Sequence, residues 1–444
     1  MQPNYINELN SVPNDPYYSL QWGMGNINMP QVWDYTTGSN TVYVAVLDTG
    51  IDYNHPDLNA NMGKDSYNNY GRYFYNGGLT SNNPMDIHGH GTHVAGIIGA
   101  VGNNGIGVVG VCWTVKMLAV NVFTPGAGSF GGPGAYDSDV INGINYVASE
   151  KTKGLNIRVA NMSFGGWKDP LPDSSPFGAA IELLSNKGII CVMAAGNDNQ
   201  NLNNPTGSYT GKKVYPSSFK FENTISVGSI SSSNARSSFS NYGSNWVDIA
   251  APGTDIYSTL MNNTYGNNSG TSMSAPHVTG AAALLCAAYP NESASTIKAR
   301  ILNKANKNYG VTNGYWKYGT LDVWSAYNVP SITSGYIQAH TFDEYHGEEN
   351  YYDYYDGDTI WDRDFYNYIP YAPVIKFIPN PPNATITSIL WKSDNPQDII
   401  YDPDQIETLF ESINLPGHSY LTVTVNEIYK VKVKLTLFPI KSPK

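Results

Sequence analysis

The apolar positions of the chain form runs of two kinds. Residues 42–47 and 188–194 are almost unbroken apolar runs, and each predicts a strand buried on both faces, as in a parallel sheet. Residues 278–286 are apolar but mostly small, and they predict a helix in the protein interior. Pro276 precedes this run, and we expect it in the first turn of the helix, where a missing N–H costs little.

Ser272 lies where the chain enters this predicted helix, just after Gly270, which permits a tight turn. The N-terminus of a helix carries partial positive charge and free N–H groups, which stabilise an anion. Two interpretations follow from the residues alone. Ser272 is either a helix cap or a nucleophile whose oxyanion the helix end stabilises.

Two distant segments favour the nucleophile. Asp48 follows the strand 42–47 at its carboxyl end, where open α/β sheets place their ligands. His90 opens a second predicted helix. A serine nucleophile needs a base, and the base needs an acid that holds its tautomer. Asp48, His90 and Ser272 supply these three roles in that chain order.

Two other histidines compete with His90 for the role of the base. His93 lies one helical turn further inside the predicted helix, and we interpret it as a packed, hydrogen-bonded residue. His88 precedes the motif, and we interpret it as part of a loop. His90 therefore remains the preferred base.

The segments around Asp48, His90 and Ser272 resemble the signatures of the subtilisin-type (S8) serine proteases, which have this chain order. The segments 14–24, 237–243 and 248–253 also match, and the likeness is to the thermitase branch. It covers residues 14–328. The resemblance implies a doubly wound, mainly parallel α/β catalytic domain and a serine endopeptidase that acts on polypeptides.

The resemblance also assigns a substrate cleft. Asn197 matches the family's oxyanion asparagine, although an Asn after Gly is in isolation a turn residue. Residues 159–166 match the strand that pairs with a bound peptide through backbone hydrogen bonds. The expected substrate contacts are Ser163, Phe164, Gly165, Gly166, Ala194, Ala195, Gly196 and Val214.

Substrate preference depends on the P1 pocket of this cleft. Val214 occupies the expected floor, where many relatives have a small or polar residue, and a β-branched side chain fills the volume there. The pocket segments 163–166 and 193–197 contain no carboxylate that would select Lys or Arg. We therefore predict a medium-sized apolar P1 residue over Phe or Tyr, with Phe164 favouring an apolar P4 residue.

A structural calcium ion is the expected cofactor. The family's ligands match the side chains of Asp15, Asp57 and Asn104 and the carbonyls of Ile106 and Val108. Calcium takes six to eight oxygen ligands, which suits this set. Taken alone, residues 102–108 would be a Gly/Asn turn. The thermitase branch has a second site before the catalytic histidine, which we do not expect here because residues 75–87 hold one acid, Asp86.

Composition limits the other possibilities. The 444 residues carry a formal net charge of −11, which argues against nucleic acid as a partner. No stretch reaches the length of a membrane span. The three cysteines, Cys112, Cys191 and Cys286, lie in apolar surroundings. They predict buried free thiols and not a disulfide framework.

The resemblance implies a secreted protein, yet no signal-peptide pattern begins at Met1. We therefore expect a processed or recombinant form. In this interpretation residues 1–13 are an N-terminal extension or the remnant of a junction with a pro-domain, which in the family is a candidate inhibitory partner. We expect the protein to be a monomer.

The composition changes after Asn328. We expect a catalytic domain at 14–329 and a β-rich domain of unknown role at 330–444. Residues 340–372 are crowded with Tyr, Asp and Glu, which suits binding of calcium, polysaccharide or protein, or a packing surface. Strand-like runs occur at 374–378, 385–391, 420–425 and 430–438. Another class of function stays open: an inactive relative that binds peptides, or a surface protein that acts through this domain.

Overall fold

The computed structural model describes residues 12–128, 132–307, 310 and 312–327, together with the backbone of strands between residues 334 and 437. Residues 1–11, most of the predicted N-terminal extension, lie outside the described residues. The chain divides into two compact units, Met1–Tyr327 and Asn328–Lys444.

The first unit alternates strands and helices. Its strands are β1 (Gly38–Asp48), β2 (Gly71–Tyr75), β3 (Leu79–Ser81), β4 (Thr114–Asn121), β5 (Ile157–Met162), β6 (Gly166–Lys168), β7 (Ile190–Ala194), β8 (Lys213–Tyr215), β9 (Thr224–Ile230), β10 (Ile249–Pro252), β11 (Ile256–Leu260), β12 (Thr264–Asn268) and β13 (Gly319–Thr320). Its helices are α1 (Trp22–Asn26), α2 (Met29–Trp33), α3 (His90–Gly99), α4 (Asp137–Thr152), α5 (Pro176–Asn186), α6 (Thr271–Ala288), α7 (Ala294–Asn303) and α8 (Val323–Tyr327).

Nine of these strands form the central sheet, in the order β13-β10-β9-β7-β5-β1-β4-β2-β3. All neighbours are parallel except the β2–β3 pair at one edge. The remaining strands of the unit form two antiparallel pairs, β6 with β8 and β11 with β12.

Both faces of β1 are buried, as the apolar run predicted. Val44 and Val46 pack in one hydrophobic cluster with residues of α3 and α6. Ala45 and Leu47 pack in a second cluster with residues of α4 and α5. Successive strand residues point to opposite faces, so helices must cover both sides of the sheet. The predicted doubly wound, mainly parallel α/β fold is confirmed.

Helix α6 is buried along most of its length, from Met273 to Cys286. Pro276 lies inside this helix, so its predicted position in the first turn is wrong. A proline has no N–H to donate to the carbonyl four residues earlier, which here belongs to Ser272. The Ser163 hydroxyl donates to the Ser272 carbonyl instead, at 2.8 Å, and satisfies it.

The three cysteines are free and buried, as predicted. Burial raises the pKa of Cys112 and Cys191 to about 12 and that of Cys286 to about 11. These thiols therefore stay protonated near neutral pH and behave as small apolar side chains.

The second unit is β-rich, as predicted. Its described strands are β14 (Ser334–Asp343), β15 (Glu348–Tyr354), β16 (Thr359–Trp361), β17 (Val374–Asn380), β18 (Ile389–Ser393), β19 (Asp398–Ile400), β20 (Glu407–Ser412), β21 (Gly417–Val425) and β22 (Tyr429–Leu437). They form sheets in the orders β15-β14-β17-β20-β19 and β16-β22-β21-β18. Of the predicted strand 385–391, residues 385–388 lie outside the described residues, and 389–391 fall in β18.

Candidate active site

Three elements end or begin beside one cleft of about 460 Å³. His90 is the first residue of α3 and Ser272 the second residue of α6, and both line the cleft. Asp48, the last residue of β1, is fully buried behind His90. The predicted residues that line the cleft are His90, Ser163, Phe164, Gly165, Gly166, Ala194, Gly196, Asn197, Val214 and Ser272.

Asp48 and His90 are joined by a hydrogen bond of 2.7 Å between Nδ1 and Oδ1. The same carboxylate oxygen accepts the Thr49 backbone N–H at 2.7 Å. Because Nδ1 faces a carboxylate, it carries the ring proton, and Nε2 is left as an acceptor. The ring therefore has the tautomer that a general base needs.

The pKa of His90 is raised. Burial by itself would lower it, but the nearby Asp48 charge, the Asp48 hydrogen bond and the more distant Asp86 charge outweigh that effect. His90 is thus a stronger base than an isolated imidazole. Its side chain is 25% exposed, so it can still be reached from the cleft.

Ser272 does not cap its helix. The N-cap of α6 is Gly270, and the Ser272 hydroxyl donates to the Ser163 carbonyl at 2.8 Å. Among the described residues, no hydrogen bond joins this hydroxyl to His90 Nε2. Catalytic hydrogen bonds often tighten only when substrate binds, so this geometry does not exclude a nucleophile.

The Asn197 side-chain nitrogen and the Ser272 backbone nitrogen lie near the same point, beside Gly270. The Asn197 side-chain oxygen accepts from the Thr271 N–H at 2.8 Å and the Thr271 hydroxyl at 2.9 Å, which leaves Nδ2 as the outward group. A Cβ atom at Gly270 would lie 3.4 Å from Asn197 Nδ2 and 3.6 Å from Ser272 N. Since Gly270 has no side chain, two donors can reach one small acceptor.

Asp86 is a site residue that the sequence analysis did not assign to the active site. Its buried carboxylate accepts five hydrogen bonds, from the Thr49 hydroxyl, the backbone N–H groups of His88 and Gly89, and the N–H and hydroxyl of Thr92, at 2.5–2.9 Å. Thr49 adjoins Asp48, and the other donors surround His90. The signal available in the sequence was an acid four residues before His90.

The two competing histidines differ from His90. His93 is fully buried, and its Nε2 lies 2.9 Å from the Ile256 carbonyl and 3.1 Å from that of Gly266. Burial lowers the pKa of His93 to about 4. His88 is exposed and lines the cleft, but its backbone is held by Asp86.

One of the cleft expectations needs correction. Ala195 is fully buried and does not line the cleft; it packs in a cluster with Val214 and Trp316. Asp198 lines the cleft, one residue beyond the segment 193–197 in which no carboxylate was found. Asp198 directly follows Asn197, which also lines the cleft.

The five predicted metal-binding residues lie close together. Asp57 accepts from Asn104 Nδ2 at 2.9 Å and from the Val108 N–H at 2.9 Å. The Asn104 side-chain oxygen accepts the Ile106 N–H at 2.8 Å. Asp15 accepts the N–H of the neighbouring Asn103 at 2.7 Å.

The fold and the cleft define a serine hydrolase built on a doubly wound α/β sheet. A model of the subtilase family matches residues 39–320. The chain is 36% identical over 329 residues to a thermophilic serine proteinase of Bacillus sp. (strain AK1), covering 73% of this chain and 71% of that protein. It is 39% identical over 318 residues to thermitase of Thermoactinomyces vulgaris, covering 71% and 98%. With subtilisin NAT of Bacillus subtilis subsp. natto the identity is 37% over 311 residues, covering 69% and 71%.

The chain therefore belongs to the subtilase family. It is a serine endopeptidase of the thermitase-like branch, and the recognition made from the sequence motifs is confirmed. Within the described part of the chain, no helix combines the length and apolar character needed to cross a membrane.

Replacing Asp86 by Asn should lower kcat/KM by about 10²-fold, because misplacing catalytic groups by about 1 Å has effects of that size. The acid limb of the pH profile should also move to lower pH, since the Asp86 charge helps to raise the pKa of His90. Both quantities are read from kcat/KM measured across pH.

Asp65→Asn is the matched control. Asp65 is 5% exposed against 6% for Asp86, and it accepts from the Tyr67 N–H, the Asn69 N–H and the Tyr146 hydroxyl, away from the cleft. It should lower the melting temperature without moving the acid limb. An Asp86→Asn enzyme whose acid limb stays at the wild-type pH would contradict the role of Asp86.

Proposed function

We propose that this endopeptidase cleaves peptide bonds with Asp48, His90 and Ser272 as its catalytic triad, and that Asn197 and the Ser272 N–H form the oxyanion hole. One observation carries the proposal. His90 Nδ1 donates to Asp48 Oδ1 at 2.7 Å, which leaves Nε2 as an acceptor in a ring that lines the same cleft as Ser272 and Asn197.

The reaction follows from these positions. Ser272 Oγ attacks the scissile carbonyl carbon while His90 Nε2 takes its proton. The Asp48 charge stabilises the imidazolium, and Asn197 Nδ2 with the Ser272 N–H donates to the developing oxyanion. His90 then gives the proton to the leaving amine. A water molecule, activated by His90, releases the acyl group from Ser272.

Ser272→Ala and His90→Ala should each remove nearly all activity, and the double variant should be little worse than either, because groups that act as a unit lose activity non-additively. That expectation is carried over from subtilisin, a relative in the same family. kcat measured on one peptide substrate tests it, with a melting curve to show folding. Additive losses would argue against a triad.

Labelling with a fluorophosphonate separates this function from that of an inactive peptide-binding relative. The probe should attach to Ser272 of the folded wild-type protein and not to the Ser272→Ala variant. A folded wild-type protein without label would leave peptide binding as the better explanation.

We also propose a P1 preference for medium-sized apolar residues such as Leu, Met or Ala. Val214 is 2% exposed and lines the cleft, and a Cβ atom at Gly165 would lie 3.2 Å from Val214 Cγ1. The pocket is thus tight around this side chain. Phe164 lines the cleft in edge-to-face contact with Phe123, with ring centroids 5.6 Å apart, which supports an apolar P4 subsite.

Val214→Gly should therefore shift the P1 preference from Leu toward Phe and Tyr. A misfitted methylene-sized group is worth about 1–3 kcal/mol in kcat/KM, so the Phe/Leu ratio should rise about tenfold or more. A P1 series on one tetrapeptide scaffold measures it. If wild type already prefers Phe and the variant keeps that ratio, Val214 is not the floor of the pocket.

The residues near Asp57 fit a structural calcium ion. Asp15 and Asp57 are 4% and 0% exposed, and Asp15 Oδ1 is buried without a hydrogen-bond partner among the described residues. No lysine or arginine of the described residues forms an ion pair with either acid. Burial, with a smaller contribution from the Asp15 charge, raises the pKa of Asp57 to about 6. Asp15, Asp57 and Asn104, with the Ile106 and Val108 carbonyls, would hold the ion and tie distant segments together.

Calcium should raise the melting temperature of the Ser272→Ala protein, in which self-digestion is blocked. A ligand that binds only the folded state adds about 4 kcal/mol at a thousandfold excess over its Kd. In EDTA, the raised pKa of Asp57 means that the folded state holds its proton more tightly than the unfolded chain. As the pH rises from 3.8 to about 6, the free energy of unfolding in EDTA should therefore fall. The stabilisation that calcium adds should grow over the same range.

Asp57→Asn should remove the calcium effect, whereas Asp65→Asn, at a similarly buried acid, should keep it. An identical melting temperature in EDTA and in calcium at pH 7 would exclude the site.

We further propose that the protein is a secreted monomer with a catalytic domain at 14–329 and a separate β-rich domain at 330–444, and that a pro-domain inhibits the catalytic domain. Membership of the subtilase family supports secretion and the pro-domain. The composition change after Asn328 supports the boundary.

A further inference from the structure

Asn104, a residue of the proposed calcium site, is directly followed by Gly105. An Asn-Gly step is the sequence most prone to deamidation, because glycine has no side chain to hinder its own nitrogen. In this reaction the Gly105 nitrogen bonds to Asn104 Cγ and the Cγ–Nδ2 bond breaks. The side-chain nitrogen leaves as ammonia with the proton of the Gly105 N–H. Water then opens the five-membered ring at either carbonyl and gives aspartate or isoaspartate.

Hydrogen bonds hold both groups that this reaction must join. Asn104 Nδ2 donates to Asp57 Oδ1 at 2.9 Å, and Asn104 Oδ1 accepts the Ile106 N–H at 2.8 Å. The Gly105 N–H donates to Asn14 Oδ1 at 2.8 Å. The nucleophile and the amide that it attacks are therefore held by different partners. Deamidation requires these bonds to break, so it requires the loop to open.

Two buried acids bind the loop on either side of Asn104. Asp15 Oδ2 accepts the Asn103 N–H at 2.7 Å, and Asp57 Oδ2 accepts the Val108 N–H at 2.9 Å. Like charges repel each other, whereas a divalent cation bound to both carboxylates attracts them. Calcium should therefore favour the closed loop.

We propose that Asn104 is a deamidation site that calcium protects, so that loss of the ion leads to irreversible modification of the loop. It rests on the proposed calcium site. If the closed loop is the form that binds the ion, mass action lowers the population of the open loop as calcium rises. The reaction adds a carboxylate beside Asp15 and Asp57, so the modified protein should be less stable in EDTA than the original.

The chain contains internal controls, because Asn-Gly also occurs at Asn76–Gly77, Asn142–Gly143 and Asn313–Gly314. Asn142 lies within α4, where the helix holds the backbone. Asn76 is exposed in the turn between β2 and β3. Its N–H donates to the Thr124 hydroxyl at 2.8 Å, and the Gly77 N–H donates to Asp139 at 2.9 Å. Neither partner is a predicted calcium ligand, so the rate at Asn76 should not depend on calcium.

The test uses the full-length Ser272→Ala protein, kept at mildly alkaline pH either in EDTA or in calcium at a thousandfold excess over its Kd. Peptide mass mapping measures the deamidated fraction at each asparagine. Calcium should slow the reaction at Asn104 by about tenfold or more, since it depopulates the open loop. The rate at Asn76 should be the same in both solutions. Protein aged in EDTA should then melt in EDTA at a lower temperature than fresh protein.

Gly105→Asn should slow the reaction at Asn104 in EDTA severalfold and preserve the melting temperature on ageing. Gly105 has φ +73°, and a Cβ atom there would meet no atom within 4 Å. Asparagine tolerates this left-handed conformation, and its side chain hinders the attacking nitrogen. Gly188→Asn is the matched control, because Gly188 has φ +68°, equal space and no asparagine before it. It should leave the rate at Asn104 unchanged.

Equal rates at Asn104 in EDTA and in calcium would overturn the inference. So would an intact Asn104 in EDTA after Asn76 has reacted, or protection by calcium that Asn76 shares. The melting temperature of fresh protein reports on the calcium site separately. A calcium-stabilised protein with equal rates at Asn104 would therefore refute this inference alone, whereas fresh protein that calcium does not stabilise would remove the site and the inference together.

Discussion

The burial of helix α6 is the constraint on which the rest of the catalytic unit depends. Its small apolar residues let it pack closely against strands β1, β5, β7, β9 and β10 and against helix α3. Every backbone group of a buried helix needs a partner, and Pro276 leaves the Ser272 carbonyl without one. The Ser163 hydroxyl supplies it, so the helix end that carries Ser272 is bonded to the segment that lines the cleft.

The same region contains two acids, Asp48 and Asp86, that act on His90 in different ways. One oxygen of Asp48 accepts hydrogen bonds from His90 Nδ1 and from the Thr49 N–H. Asp86 accepts bonds from Thr49, next to Asp48, and from residues on both sides of His90, so it links the end of β1 to the start of α3. Both negative charges oppose the burial that would lower the pKa of His90. The pKa of His90 is thus raised by one carboxylate in hydrogen-bond contact and by the charge of a second one.

Asp57 and Asp198 illustrate two other settings for a carboxylate. Asp57 is fully buried beside Asp15 and has a raised pKa, which a bound cation would relieve. Asp198 is exposed, and neutral donors hold its carboxylate. The same kind of side chain therefore stands in the interior beside another acid in one case and at the cleft among neutral donors in the other.

The sequence by itself determined the features that depend on neighbours along the chain. The apolar run in β1 required burial on both faces, and the apolar settings of the cysteines required buried thiols. The motifs around Asp48, His90 and Ser272 were enough to recognise the family. Each of these signals lies within a few residues, where periodicity and local motifs carry the information.

Only the tertiary structure decided the contacts between distant segments. The Ser163 hydroxyl, which donates to the Ser272 carbonyl, is 109 residues away from it in the chain. The Thr49 hydroxyl, which donates to Asp86, is 37 residues away from that acid. Ala195 is buried in the core, whereas Asp198, three positions further along the chain, lines the cleft. Local pattern does not specify such outcomes, because they depend on which side chains the packed sheet and helices bring together.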